Sequence, residues 1–254
     1  MSTNKDSPPT DDDLAVTEYI DHDHPSIVAL AKDILSKSKT NTQTERAVLI
    51  HDHIRDNILF GWSGKFWNQK ASEVLKAGRG FCNTKSTLFA ALLRAAKIPC
   101  RLQYVDINSE ILHGITDPRS LYEIHTYTEV YNSDINRWCR LDSYIVDKKL
   151  VHAAKEKLRM ENKVIGYGVH LDGHSDWNGK EDAFIQYLMD SDLNKSLTKP
   201  LSEHAYGSFK DIQNFYAAAD QHGARDRLEN PILRLLFPLL IFPGNRAAER
   251  LRAH

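Results

Sequence analysis

Cysteine is scarce in this sequence, and so are net charge and long apolar runs. The chain of 254 residues has 3 cysteines, Cys82, Cys100 and Cys139. An odd, sparse set does not build a disulfide framework and fits a reducing compartment, so a cytoplasmic location is expected. Lys and Arg number 33 against 34 Asp and Glu, a formal net charge of -1, which excludes the global basic field that attracts nucleic acid. No apolar run approaches the roughly 20 residues of a membrane span. Residues 1–6 lead into acidic residues with no apolar stretch, so no secretory leader is expected. There is no internal repeat and no low-complexity block. A hydrophobic content of 41% with a mean hydropathy of -0.48 suits a soluble chain that forms one large domain, or one domain with an extension.

Residues 1–20 are polar, acidic and contain proline, which predicts a disordered tail. From Pro25 the apolar residues Ile27, Leu30, Ala31 and Ile34 recur at helical spacing. A second helix, capped by Asn41 or Thr42, carries Ala47, Ile50, Ile54 and Ile58 on one side. Residues 72–76 read as a short helix ending at Gly78. The next helix opens near Cys82 and has almost no polar face over residues 88–96, which predicts burial on most sides until Pro99 stops it. Residues 101–107, 122–131 and 137–144 read as strands, with a loop over residues 113–120. Helix returns after Asp147 to about Arg159, and residues 161–180, with four glycines, read as irregular or as short strands. Further helices are expected at residues 183–189 and 209–219, before a strongly apolar stretch at residues 231–243 in which Pro238 limits any continuous helix. This divides the chain into a tail (1–20), a catalytic domain (21–190) and a mainly helical C-terminal extension (191–254).

Cys82 is the residue that carries the most chemistry. It follows Gly80 and Phe81 at the start of a helix, where unpaired backbone N–H groups and the macrodipole favour a thiolate. His125 and Asp142 follow in two successive strands, and a cysteine, a histidine and an acid in that order suit a thiol hydrolase or acyltransferase. Asn132-Ser133-Asp134-Ile135 is a four-residue loop of turn-forming residues. If it closes the hairpin, Glu129 faces Trp138, Tyr127 faces Arg140 and His125 lies directly opposite Asp142, their Cβ atoms about 4.5–5.5 Å apart. The acid then orients one imidazole nitrogen and leaves the other for Cys82. A slip of one residue would separate the pair.

These segments together resemble the transglutaminase-like superfamily. The matching residues are Ala71-Ser72-Glu73-Val74-Leu75, then Gly80-Phe81-Cys82, then Ala90-Ala91-Leu92-Leu93-Arg94-Ala95-Ala96-Lys97-Ile98-Pro99. They continue in His125-Thr126-Tyr127-Thr128-Glu129-Val130-Tyr131 and Trp138-Cys139-Arg140-Leu141-Asp142. The family pattern is G-x-C at a helix start, A-L-L-R-A-x-G-I-P, H-x-W-x-E-V-Y and W-x-x-x-D, and the likeness runs over residues 45–145. It implies an α+β, papain-like core in which the nucleophile helix packs on an antiparallel sheet, and a triad of Cys82, His125 and Asp142. Three positions depart from the pattern: Ser143-Tyr144 stands where Asp-Pro is common, Tyr127 where Trp is common, and Lys97 where Gly is usual. Each leaves the triad in place.

The implied chemistry is attack of Cys82 on an amide or other acyl carbonyl in a protein, peptide or small amide. The oxyanion would be held by the Cys82 backbone N–H and by a second donor, with Trp67 or Gln69 as candidates. Whether water or an amine takes the acyl group stays open. Two other readings share the fold: a non-catalytic peptide-binding domain, and a peptide N-glycanase-like enzyme, for which the paired Cys-x-x-Cys zinc motifs are missing. No cofactor is expected. His170, Asp172, His174 and Asp176 alternate in a way that raises metal binding, but a polar loop beside the cleft is the preferred reading, so no metal is expected either. His51-Asp52-His53 reads as solvated helix surface. The apolar stretch at residues 231–243 has three readings: docking on the catalytic domain, a homo-oligomer or partner contact, or touching a membrane surface, the last not expected.

Overall fold

The computed structural model describes residues 7–117, 122–187, 205–219 and 231–253, with the backbone alone for 231–240. Four helices form one layer. Helix α1 (Pro25–Leu35) starts with proline, and α2 (Gln43–Asn57) is capped by the Thr42 hydroxyl, which accepts from Glu45 N at 3.2 Å. Helix α3 (Ala71–Ala77) ends at Gly78, whose φ of 64° supplies the left-handed cap. Helix α4 (Cys82–Ala95) is the centre of the layer, with α1, α2 and α3 all packed on it and every residue from Cys82 to Arg94 buried. The strands β1 (Leu59–Phe60) and β2 (Arg79–Gly80) pair in parallel and bring the α2–α3 loop to the start of α4.

The second layer is an antiparallel sheet in the order β5-β4-β3-β8, from β3 (Cys100–Asn108), β4 (Tyr122–Asn132), β5 (Arg137–Leu141) and β8 (Ala205–Phe209). Helix α4 lies against β3 and β4. Beyond β5 come α5 (Lys148–Met160), capped by Asp147, and the short pair β6 (Ile165–Gly166) and β7 (Val169–His170). Helices α6 (Ile212–Ala219) and α7 (Pro231–Arg252) complete the chain. The chain is thus α+β, with the cysteine helix packed on an antiparallel sheet.

Several details differ from the sequence reading. Tyr131 pairs with Trp138 and Asn132 with Arg137, so the hairpin loop is residues 133–136 and the register is shifted by two. The cause is local: the Asn132 carboxamide accepts from Asp134 N at 2.9 Å, and Asn136 takes the left-handed conformation at φ 52°. Strand β5 stops at Leu141 rather than running to Tyr144, because the N–H groups of Asp142 and Ser143 both turn to Ala183 O. The helix expected at residues 183–189 is absent over 183–187, where Ala183 bridges to Leu141; residues 188 and 189 lie outside the described residues. Phe209 belongs to β8, and helix begins only at Ile212. Because β8 is a strand of the main sheet, a boundary at residue 190 cuts through that sheet.

The N-terminal stretch is also more integrated than expected. Residues 7–20 are not a free tail: Asp13 is buried and binds Arg101 at 2.9 Å, Arg101 stacks over Trp138 at 4.0 Å, and Tyr19 and Ile20 join the core. Residues 1–6 lie outside the described residues. Helix α7 runs through Pro238 and Pro243, since each proline forfeits one donor while flanking bonds carry the helix on. Its described part docks on α5. No helix among the described residues is long and apolar enough to cross a membrane.

Gly78 joins α3 to the strand that leads to Cys82, and a Cβ there would meet nothing within 4 Å. Gly78→Ala is therefore expected to cost roughly 1 kcal/mol through backbone strain alone. Urea unfolding measures it; an unchanged midpoint would contradict the cap assignment.

Candidate active site

Cys82 is the first residue of α4, with Phe81 extended at the cap position. The Phe81 N–H is satisfied by the Thr84 hydroxyl at 3.0 Å, which fixes the first turn. The thiol is 9% exposed and faces a cavity of about 330 Å³. Its Sγ lies 3.6 Å from Asn83 Oδ1 and 3.9 Å from the Ile124 carbonyl. Asn83 is itself held by the Thr126 hydroxyl from β4.

His125 follows Ile124 on β4 and is 2% exposed. Its Nε2 lies 2.9 Å from Asp142 Oδ2. An ionised carboxylate only accepts, so Nε2 donates to Asp142, and the ring lines the same cavity as the Cys82 thiol. Burial alone would push the imidazole down, but the bonds to Asp142 and Cys82 and their charges outweigh it and raise it to about 9. The ring also stacks on Tyr187, centroids 6.1 Å apart.

Asp142 is fully buried and its carboxylate is saturated with donors. Oδ1 accepts from Ile185 N at 2.6 Å and Gln186 N at 3.2 Å; Oδ2 accepts from Tyr187 N at 2.8 Å as well as from His125. The missing helix at residues 185–187 is explained here, because those N–H groups turn to the carboxylate instead of a helical ladder. A two-residue shift keeps side-chain parity, so His125 and Asp142 remain on one face and meet diagonally instead of directly. All three residues picked out in the sequence are thus brought together.

The candidates for a second oxyanion donor are not brought to the cavity. Trp67 stacks on Tyr216, centroids 4.5 Å apart, and Gln69 accepts from the Ser63 hydroxyl; neither lines the cavity. The residues lining the cavity that sequence reasoning missed include Asn83, Trp62, Gln186 and Tyr216. Asn83 follows Cys82 directly and was the only one with a local cue. Burial raises the Tyr216 phenol, so it stays a neutral hydroxyl.

His51, read as solvated surface, is completely buried. It packs edge-on to Phe89 and Tyr144, which gives α2 a second inward direction that the aliphatic stripe does not reveal. Burial pushes its pKa down, so the ring is neutral: Nδ1 donates to Asp52 at 2.9 Å and Nε2 accepts from Ser143, next to Asp142, at 2.8 Å. Of the alternating His and Asp residues, His170 accepts from Asp172 N, and Asp176 binds Arg55 and Lys148, both at 2.9 Å. No group of three or more His, Cys, Asp or Glu able to hold a metal occurs among the described residues.

Removing Asp142 strands three N–H groups and a buried ring, whereas removing the thiol strands nothing. Asp142→Ala is expected to lose about 3 kcal/mol or more of stability, and Cys82→Ala about 1 kcal/mol or less. Denaturant titration compares them; equal losses would contradict this picture of the carboxylate.

Comparison with known proteins adds the following. The model of the transglutaminase-like superfamily matches residues 28–143. No curated protein matches the chain significantly. Among solved structures, a “Putative Cysteine Protease” from Cytophaga hutchinsonii aligns with 20% identity and a TM-score of 0.40, over 50% of this chain and 39% of that one. A “Putative Protease” from Parabacteroides distasonis aligns with 16% identity and a TM-score of 0.34, over 51% of this chain and 24% of that one. The chain therefore spans well under half of either protein. The chain is thus similar to the transglutaminase-like superfamily over residues 28–143, the segment that holds the cysteine helix and the two strands beside it.

Proposed function

We propose that the protein is a cysteine-dependent amide hydrolase or acyltransferase with Cys82 as nucleophile, His125 as acid and base, and Asp142 as the residue that orients His125. The observation that supports this most is the buried His125–Asp142 hydrogen bond of 2.9 Å, with His125 lining the same cavity as the Cys82 thiol. A domain that only binds peptides has no need to keep a charged acid and a raised histidine beside a thiol.

In this reading His125 carries the proton of the Cys82–His125 pair at rest, and the sulfur attacks the acyl carbon as a thiolate. The carbonyl oxygen gains the charge, faced by the N–H groups of the first turn of α4. As the C–N bond breaks, His125 returns the proton to the leaving amine, and a thioester remains on Cys82. Water or an amine then attacks the thioester, His125 removes its proton, and the C–S bond breaks to release the Cys82 thiolate beside the imidazolium. Asp142 keeps its charge throughout and stabilises the imidazolium. The substrate is a protein, a peptide or a small amide, acting without a cofactor.

His125→Ala is expected to slow iodoacetamide alkylation of Cys82 at pH 7 by about tenfold or more. Equal rates, no faster than a free thiol, would support the binding-domain reading. In cell extract, mass spectrometry is expected to find an acyl adduct on Cys82 that Cys82→Ala abolishes, and its mass identifies the donor. The pH dependence has a definite sign. His125 keeps its proton below about 9, so amide turnover loses its acid as pH rises through that value. Above it kcat/KM is expected to fall about tenfold per pH unit, while alkylation, which needs no acid, does not fall. A parallel fall of both would count against the assigned roles.

A further inference from the structure

Phe60 and Trp62 form one wall of the cavity at Cys82, and their backbone is held by residues beyond the matched segment 28–143. Phe60 N donates to Asp147 Oδ2 at 3.1 Å, and Phe60 O accepts from Arg252 Nη2 at 2.7 Å. Gly61 N donates to Gly80 O at 3.0 Å. Trp62 N donates to Asn245 Oδ1 and Trp62 O accepts from Asn245 Nδ2, both at 2.8 Å. The carboxamide of Asn245 therefore takes both backbone bonds that a neighbouring strand would take. The approach is close enough that a Cβ on Gly61, at φ 155°, would lie 2.6 Å from Asn245 Oδ1. Arg252 fixes the far end of α7 by gripping Asp147, with Nε to Oδ1 at 3.0 Å and Nη2 to Oδ2 at 2.6 Å.

What α7 holds in place is aromatic. Trp62 packs against Phe60 at 5.5 Å and Phe81 at 6.2 Å between centroids, and Phe81 stacks on Phe66 at 5.1 Å. All four line the cavity, and Tyr216 adds a fifth ring. An open aromatic wall beside a reactive thiol recognises a flat or bulky apolar group, because burying such a group gains both area and ring contacts.

We infer that the acyl donor carries an aromatic or bulky apolar group next to its reacting carbonyl, and that Asn245 is a positioning residue that sets this preference by holding Trp62 in the wall. The inference rests on the reading of Cys82 as the nucleophile. Asn245 touches no substrate; it acts through the backbone of residue 62.

The test is saturation kinetics of Cys82 alkylation by chloroacetanilide and chloroacetamide, each rate divided by that with glutathione. Chloroacetanilide is expected to saturate and to be favoured about tenfold at low concentration. Asn245→Ala is expected to raise its half-saturation concentration about tenfold while its maximal rate persists, so that the preference disappears. Trp62→Ala should give the same shift, and the double variant no further shift. Asn245→Asp, which keeps the acceptor and loses the donor, should fall between and serves if the alanine variant fails to fold. Glu249→Gln, which loosens the same helix at its 3.2 Å contact with Arg79, should leave the preference in place. A wild-type protein without saturation or preference overturns the inference, as does an Asn245 variant that slows both reagents equally or a Glu249 variant that erases the preference. The reading of Cys82 fails separately: both reagents would then react no faster than with glutathione and ignore His125→Ala, while the half-saturation for chloroacetanilide still reports on the wall.

Discussion

The buried carboxylate of Asp142 is the constraint around which the sheet and the cavity beside Cys82 are organised. A charge with no exposure is tolerable only when donors surround it, since an unpaired buried carboxylate costs several kcal/mol. Three donors come from the backbone of residues 185–187 and one from His125. Satisfying the acid therefore dictates a local fold: the chain after β5 leaves the sheet, and residues 183–187 return to bridge it and close over it. The three backbone bonds fix the carboxylate, and the fourth orients the imidazole beside the cavity that Cys82 lines.

Helix α4 supplies the other half of the geometry. Its apolar length anchors it between the helical layer and the sheet, so the position of its first residue is set by packing along its whole length. Two polar groups on this helix, Lys85 and Ser86, are paired in the same way. Lys85, one turn after Cys82, is fully buried, donates to Ile58 O at 2.6 Å, and is pushed down to about 7 chiefly by burial, with Asp147 pulling the other way. Tyr144 is held between Ser86 and Thr128, joining α4 to β4 directly beneath the reactive end. Rigid support of this kind fixes the backbone from which the thiol projects. The segments outside the superfamily core extend the site: Gln186 and Tyr216 line the cavity, and α7 braces its aromatic wall.

What was legible in the sequence follows from how local each cause is. The start of α4 at Cys82 and the end of α3 at Gly78 are written in neighbouring residues. The pairing of His125 with Asp142 was readable through parity alone. The exact register depended on Asn132 folding its side chain back and on Asn136 accepting a positive φ, and the composition of the turn does not distinguish between the two loop positions. The rest was hidden because the cause lies far along the chain. Residues 183–187 carry helix-forming composition, but a carboxylate some forty positions away takes their N–H groups. His51 looks polar, yet its partner is Ser143 on another element. Asp13 in an acidic stretch reads as disorder until Arg101 is seen beside it. Asn245 has no local signature at all, since its role exists only where α7 meets residue 62.

The most direct measurement of whether sulfur, ring and acid form one working unit is the protonation of the His125 ring itself, followed by nitrogen NMR across neutral and alkaline pH. The account predicts an imidazolium that persists through neutrality, titrates near 9, and shifts markedly when Cys82 is alkylated or Asp142 is replaced by Asn. A ring that is already neutral at pH 7, or whose signal ignores changes at Cys82, would contradict it.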